Sequence, residues 1–228
     1  MRPRLASSAR PAAGSGRARR CDRVQRAIDV VVAGGLLVVN APVIAGVAVA
    51  VAARLGRPVL FRQLRPGLDG RPFTLIKFRT MHDVDEEHGL VSDADRMTGL
   101  GRALRAASLD ELPTLWNVLR GDMSLVGPRP LLMHYLDLYT PEQARRHLVR
   151  PGVTGLAQVS GRNLLSWEDR LALDTWYVDH RSLALNLRIC ARTALVLLRR
   201  VGIAAPGSVT MPQFTGSPPV VGREAGGA

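Results

Sequence analysis

A 24-residue apolar segment, residues 30–53, constrains the fold of this chain more than any other feature. Asn40 is the only strongly polar side chain in it. At about 1.5 Å per residue, a helix of this length can cross the hydrocarbon core of a bilayer. A secretory signal is the weaker interpretation, because its apolar region is only about 7–15 residues long. The segment therefore predicts contact with a membrane.

Both flanks of the segment carry arginine, which normally stays on the cytoplasmic side. Pro42 lies near the middle, where its missing N–H and its ring favour a bend. A helix that breaks at Asn40 and Pro42 and returns to the same face satisfies both observations, so residues 28–53 are predicted to be re-entrant. An ordinary kinked transmembrane helix is the alternative. The flanking arginines are Arg17, Arg19, Arg20, Arg23, Arg26, Arg54, Arg57, Arg62 and Arg65.

The rest of the chain suits one compact domain, because 46% of its 228 residues are hydrophobic and can form a core. The ends, residues 1–20 and 204–228, are rich in small residues and are predicted to be disordered tails, the first of them basic. Residues 21–203 remain as the folded domain. Cys21 and Cys190 lie far apart, which indicates neither a disulfide framework nor a zinc site.

The net charge of +12 implies a negatively charged partner: nucleic acid, an anionic lipid surface or a phosphate-rich substrate. Aromatic residues make up only 4% of the chain, and a nucleic-acid-binding protein has no use for the apolar segment. A nucleic-acid partner is therefore not expected.

Local patterns predict an α+β fold that is mostly helical. Residues 59–63 and 73–78 favour strands and are joined by a turn-rich connection, which predicts a β-hairpin. Residues 83–95 hold six acids and are predicted to form a solvated loop. A capping box at Thr140 predicts a helix from there to about residue 149. Residues 183–200 form an amphipathic helix with an arginine stripe, typical either of a membrane interface or of a core helix with a solvated face.

The most informative stretch is residues 104–130, where Asp110 and Glu111 are adjacent. Either Ser108 caps a helix here, or the regular helix begins at Pro113 with both acids just outside it. In both cases the acids lie at the positive end of a helix, which favours their ionised forms. Such carboxylates suit a nucleophile or a metal ligand better than a general acid.

Cations and glycine-rich loops accompany this acidic pair and suit phosphate binding. The prolines around Arg129 restrict its backbone, and residues 151–162 form a glycine-rich loop without Walker or Rossmann spacing. The five histidines show no metal-ligand spacing. The cations that suit phosphate binding are Lys77, Arg79, Arg105, Arg129, Arg150 and Arg162, and Pro128 and Gln158 belong to the same two loops.

Four segments resemble the bacterial sugar transferases that are monotopic phosphoglycosyl transferases. They stand in that family's order, and with the apolar segment the resemblance covers about residues 22–203. The segments are PVLFRQLRPGLDGRPFTLIKFRTM (58–81), DADRMTGLGRALRAASLDELPTLWNVLRGDMSLVGPRP (93–130), RPGVTGLAQVSGR (150–162) and LALDTWYVDHRSLALNLRI (171–189).

The resemblance implies a role for each matched residue. Asp110 would be the nucleophile and Glu111 a ligand of Mg²⁺, while Lys77, Arg79 and Arg105 would lie near the phosphates. Pro128 and Arg129 match a motif associated with the nucleotide. Roles stay open for Gln158, Arg162, Asp169, Asp174 and Tyr177. For Asp169 and Asp174, surface acids that pair with arginine are an equally good interpretation.

The resemblance also implies a reaction and a location. Such proteins transfer a phosphosugar from a UDP-sugar to polyprenyl (undecaprenyl) phosphate, release UMP and start a lipid-linked glycan or exopolysaccharide. The expected architecture is a re-entrant helix, a small β-hairpin and amphipathic interfacial helices around an active site on the cytoplasmic face of the inner membrane. The motifs leave the sugar open, and a catalytically inactive membrane scaffold is the alternative function.

Two departures from the family pattern bear on these expectations. The break of the re-entrant helix commonly holds Ser-Pro, whereas this chain has Ala41-Pro42, with Asn40 as the nearest polar group able to bond backbone carbonyls. Larger relatives carry transmembrane helices ahead of the catalytic part. Only 27 residues precede Ile28 here, so the minimal catalytic type is expected.

Overall fold

The computed structural model describes the backbone of residues 16–161, 165–199 and 213–216. Two helices open it, α1 over Gly16–Val39 and α2 over Ala41–Leu55, with a bend of 62° between them. Within the described ranges no single helix is long and apolar enough to cross a membrane. The two helices of this bent pair are long and apolar enough only when they are taken together.

Asn40 forms the joint between the two helices. Its Nδ2 donates to the carbonyl oxygen of Leu36 at 2.8 Å, and its own backbone N–H donates to the same oxygen at 2.9 Å. Pro42 stands in the first turn of α2, where a missing N–H is tolerated. The predicted break at Asn40 and Pro42 is confirmed, as is the expected bond from Asn40 to a backbone carbonyl.

An antiparallel hairpin follows, β1 over Leu60–Pro66 and β2 over Pro72–Phe78, which confirms the sequence prediction. Its turn contains Asp69 in the left-handed region, with φ 55°. The acidic loop beyond it is largely exposed as expected, but its end forms a short helix, α3 over Asp93–Arg96.

Short elements then lead to the C-terminal helices. Strand β3 pairs in parallel with β4, although the two are separated by a long connection. The helix predicted from Thr140 starts with the expected capping box but is α-helical only to Ala144, and a 3₁₀ turn completes it. The elements are α4 Gly99–Ala106, α5 Thr114–Arg120, β3 Ser124–Val126, α6 Pro141–Ala144, the 3₁₀ turn Arg145–Leu148, β4 Gly152–Thr154, α7 Leu156–Ser160, α8 Trp167–His180 and α9 Leu183–Arg199.

The core joins the bent helix pair to the rest of the domain. Ala33 of α1 packs with Phe73 of β2 and with Val118 of α5. Val51 of α2 packs with Phe78 at the end of β2. The bent pair is therefore part of the same packed body as the hairpin and α5.

A side chain of α1 also completes the end of α5. Arg26 donates from Nη2 to the carbonyl of Leu119 at 2.7 Å and from Nη1 to the carbonyl of Val118. These carbonyls belong to the last turn of α5, where carbonyl groups lack the usual intrahelical donors and only the Gly121 N–H donates to that of Val118, at 3.1 Å. The guanidinium of α1 therefore caps α5.

The predicted C-terminal tail departs from expectation at one described point. Phe214 is 3% exposed and packs with Leu131, Tyr135 and Leu171, and its backbone N–H donates to the Tyr135 hydroxyl at 3.0 Å. Burial of this large aromatic side chain stabilises its contact with the domain, although the neighbouring sequence is rich in small residues. The rest of residues 204–228 and residues 1–15 lie outside the described part.

Candidate active site

The two adjacent acids lie in a 3₁₀ turn, Leu109–Glu111, just ahead of α5. Ser108 makes no capping bond with its side chain and adopts a left-handed conformation, φ 56°. The regular helix begins directly after Pro113. Of the two alternatives, the one that starts the helix at Pro113 and leaves Asp110 and Glu111 outside is therefore confirmed.

The pKa values of the two carboxyl groups shift in opposite directions. Asp110 is 6% exposed, and burial followed by repulsion from Glu111 raises its pKa. Burial also acts to raise the pKa of Glu111, but the charge and hydrogen bond of Arg129 outweigh it and lower that pKa. Arg129, rather than the helix end, therefore accounts for the lowered pKa of Glu111, and the expectation of a favoured ionised form fails for Asp110, where burial is the larger effect.

Three of the predicted cations act on this acidic pair. Lys77, Arg105 and Arg129 all favour the ionised form of Asp110. Lys77 lies on β2, with its Nζ 5.3 Å from the centre of the Phe61 ring across the hairpin. Burial, and then the charges of Arg105 and Arg129, lowers the pKa of Lys77 to about 8.

Arg129 makes the direct contact with the acids. Its Nη2 donates to Glu111 Oε1 at 2.6 Å, a charge-assisted bond of the short, strong kind. Pro128 stands before it, buried, in a turn restricted by proline on both sides. Arg105 is oriented separately, since its Nε donates to Thr80 Oγ1 at 3.1 Å.

Arg79 and Arg150 are instead held by backbone carbonyl groups. Arg79 is 7% exposed and donates to the Leu55 carbonyl at the end of α2 and to an Asp83 oxygen at 3.3 Å. Arg150 donates from Nε to the Gly121 carbonyl at 2.9 Å. Across the described residues neither contacts Asp110 or Glu111, so the structure does not bring them to the acidic pair.

Two of the predicted binding residues remain, Gln158 and Arg162. Gln158 donates from Nε2 to the Val153 carbonyl at 3.1 Å, and its buried Oε1 has no hydrogen-bond partner within the described part of the chain. Arg162 lies outside the described residues. The electrostatic cluster therefore consists of Lys77, Arg105, Asp110, Glu111 and Arg129.

The donor set of the acidic pair fits Mg²⁺. In residues 16–161, 165–199 and 213–216, no three His, Cys, Asp or Glu side chains form a complete protein metal site. Mg²⁺ commonly takes only one or two protein carboxylates and completes its octahedron with water and substrate phosphates. The adjacent carboxyl groups of Asp110 and Glu111 are compatible with that mode of binding, although Glu111 Oε1 already accepts from Arg129.

A family model described as bacterial sugar transferase matches residues 20–200, which is most of the chain. The chain belongs to the bacterial sugar transferase family. The match includes the bent helix pair, the hairpin, the acidic pair and Arg129. The resemblance that the motifs indicated is therefore confirmed.

Similar proteins include the uncharacterized sugar transferase EpsL of Bacillus subtilis, 51% identical over 195 residues, which are 85% of this chain and 96% of that protein. The UDP-glucose:undecaprenyl-phosphate glucose-1-phosphate transferase of Caulobacter vibrioides is 46% identical over 78% of this chain and 70% of that protein. The undecaprenyl-phosphate galactose phosphotransferase of Salmonella typhimurium is 36% identical, and the match spans 41% of its length.

Three residues of this sugar transferase whose roles were open have defined contacts. Asp169 accepts a hydrogen bond from Ser166 Oγ at 2.9 Å at the start of α8, so it belongs to a helix cap. The Tyr177 hydroxyl lies 2.8 Å from Asn186 Oδ1. Asp174 pairs with an arginine, as one interpretation expected, but it is 3% exposed rather than on the surface.

Sequence reasoning missed two arginines near the cluster of this sugar transferase. Arg65, on β1, donates to the Pro130 carbonyl at 3.3 Å, and the charge of Arg129 adds to burial in lowering its pKa to about 10. Arg146 is 2% exposed and contacts the Arg129 carbonyl at 2.7 Å. Neither stands in a distinctive local pattern, so only the structure reveals their proximity to the cluster.

Proposed function

We propose that this family member transfers a sugar 1-phosphate from a UDP-sugar to polyprenyl phosphate and releases UMP. The observation that carries the proposal is a buried carboxylate, Asp110, beside a second acid and within reach of the charges of three cations. The named activities of the Caulobacter and Salmonella relatives support the substrate classes. The sugar itself stays open, since those relatives differ in it.

The geometry supports a two-step mechanism through Asp110. In the first step a carboxylate oxygen of Asp110 attacks the β-phosphorus, which carries the sugar. The bond from that phosphorus to the bridging oxygen breaks, and UMP leaves with the electron pair. In the second step a phosphate oxygen of the polyprenyl acceptor attacks the same phosphorus and expels the Asp110 carboxylate.

The cations supply what the attack needs. A carboxylate that approaches a dianionic diphosphate is repelled, and burial further disfavours the ionised form of Asp110. Lys77, Arg105 and Arg129 oppose both effects. Mg²⁺ held by Glu111 and the donor phosphates would supply charge neutralisation of the departing UMP.

We propose that the bent helix pair is re-entrant and opens to the cytoplasmic face of the inner membrane. Both flanks are arginine-rich, and several valines of the pair are strongly exposed, with Val31 at 73% and Val39 at 76%. Asn40 supplies an internal hydrogen bond at the break, where lipid has none to offer. Leu187 of α9 is 72% exposed among the arginines, which favours the interfacial interpretation of that helix.

The reaction is tested with detergent-purified protein, polyprenyl phosphate, Mg²⁺ and a panel of UDP-sugars, with UMP release as the readout. Asp110→Asn is the test variant, and Asp137→Asn, an exposed acid outside the cluster, is the matched control. We expect one donor to support repeated turnover and UMP release only with acceptor and metal present, with Asp110→Asn inactive and Asp137→Asn unchanged. No release from any donor would favour the inactive scaffold.

The covalent step has a separate test. Without acceptor, protein and donor should release about one UMP per chain, and mass spectrometry should place the phosphosugar on Asp110. UMP release that strictly requires acceptor, with no protein adduct, would favour direct transfer between the two substrates.

The topology is tested by cysteine labelling from one side of intact cells or vesicles. Cys21 reports the N-terminal flank in a Cys190→Ala variant, and Arg57→Cys reports the other flank in a chain without native cysteines. A re-entrant pair places both labels on the cytoplasmic side. Labels on opposite sides would establish a kinked span.

A further inference from the structure

The turn that carries Arg129 is held by three consecutive backbone carbonyls. The carbonyl at position 128 accepts from the Gly152 N–H at 3.0 Å. The carbonyl at position 129 accepts from Arg146 Nη2 at 2.7 Å, and the one at position 130 accepts from Arg65 Nη1 at 3.3 Å. Because the two prolines of this turn have no N–H, carbonyl groups are the main points where its backbone can be anchored.

The central anchor is itself fixed by a buried ion pair. Arg146 and Asp174 are 2% and 3% exposed, and Asp174 Oδ2 accepts from Arg146 Nε at 3.1 Å and from Nη2 at 2.7 Å. The same Nη2 donates to the Arg129 carbonyl. The fork geometry of a guanidinium allows it to join a carboxylate and a carbonyl at once, which an ammonium group does less rigidly.

We propose that Asp174 and Arg146 are positioning residues, which orient Arg129 toward Glu111 and the donor phosphates by holding its carbonyl. The inference rests on the proposed function and gives Asp174, whose role the sequence left open, a task in it. The path has three links: Asp174 fixes the Arg146 guanidinium, Arg146 fixes the Arg129 backbone, and Arg129 reaches Glu111 at 2.6 Å.

A purely structural role is the competing explanation, since the pair also joins α8 to the 3₁₀ turn Arg145–Leu148. Removal of one partner would leave a buried charge and endanger folding. The test variant is therefore Arg146→Met with Asp174→Leu, because apolar replacement of both partners of a buried pair is often neutral or stabilising. The matched control is Arg145→Gln with Asp179→Asn, an exposed pair between the same two elements.

The first readout needs no substrate. Hydrogen exchange of the peptide that contains residues 127–132 should become faster in the test variant and stay unchanged in the control, at similar melting temperatures. Unchanged exchange of this peptide in a folded test variant would overturn the positioning role. This readout holds even where the wild-type protein shows no UMP release, which would refute the proposed function alone.

The second readout is a mutant cycle that combines the test variant with Arg129→Gln. In the wild-type background we expect the test variant to lower kcat/KM for the donor by on the order of tenfold, as for loss of a hydrogen bond from a charged group. In the Arg129→Gln background the same change should have almost no effect, because the residue being positioned is gone. Equal losses in both backgrounds would assign the pair to structure only.

Discussion

Lys77 is the single lysine among the 31 Lys and Arg residues of this chain, and its lowered pKa predicts that activity depends on pH. Burial, together with the charges of Arg105 and Arg129, lowers that pKa from 10.5 to about 8. Since each pH unit changes the protonation ratio tenfold, the charged form dominates by about tenfold at pH 7 and is the minor form by about tenfold at pH 9. Catalysis that requires the charged form should therefore weaken above pH 8.

The expected result is a fall of kcat/KM for the UDP-sugar by about tenfold per pH unit above pH 8, because kcat/KM reports the pKa values of the free enzyme. The bound donor brings negative charge, which raises the pKa of Lys77, so the fall in kcat should begin at a higher pH. The arginine of a Lys77→Arg variant keeps its charge throughout this range, so the pH profile of this variant should not show the decline above pH 8.

As the pH rises, the contribution of Lys77 to stability should increase while activity decreases. The folded-state pKa of Lys77 lies below its ordinary value, so between about pH 8 and 10.5 the unfolded chain binds more protons than the folded chain. The contribution of Lys77 to the free energy of unfolding therefore rises with pH in this window. Loss of activity at pH 9 is thus not a sign of unfolding at this residue.

The assay combines initial rates at pH 6.5 to 10 with a direct titration. A protein labelled with ¹³C at lysine Cε gives one lysine signal, whose shift with pH reports the pKa of Lys77 without assignment. A Lys77→Arg profile that falls with the same midpoint as the wild-type profile would refute the reasoning, as would a lysine titration near 10.5.

Three further changes test the fold around the site. Asn117 is fully buried and bonds the backbone of Thr74 and Ile76, so Asn117→Ala should lower the free energy of unfolding by about 3 kcal/mol, measured by denaturant titration in detergent. Phe214→Ala should cost about 3 kcal/mol in the same assay, and no loss would place residues 213–216 off the domain in solution. At Gly127 a Cβ would lie 2.4 Å from a backbone oxygen, so Gly127→Ala should lower both the melting temperature and UMP release, and unchanged values for both would contradict that close approach.

Local chemistry explains what could be predicted from the sequence. The hairpin, the break at Asn40 and the capping box at Thr140 each depend on a few neighbouring residues, and all three are found. The adjacent acids were identified by their place beside a helix start. Their unequal pKa shifts were not, because burial depends on how distant segments cover Asp110.

Long-range pairing explains what could not be predicted. Strands β3 and β4 have three residues each, too few for a periodic signal, and they meet across a long connection. The arginines show the same limit, because Arg79 and Arg129 are both predicted from the sequence to bind phosphate. One bonds the end of a helix and the other an acid of the site, and only their positions in the fold decide which.

The cap that Arg26 places on α5 has a consequence for where the reaction can occur. The opposite end of α5 is separated from Glu111 by two residues, and seven residues of helix are only about 10 Å long. In the proposed mechanism, the short helix α5 therefore sets the distance between the Asp110 nucleophile and the bent pair. A re-entrant pair contacts only one leaflet, so an enzyme built in this way would tolerate bilayers of different thickness. Its activity would instead depend strongly on the depth at which the acceptor phosphate lies in that leaflet.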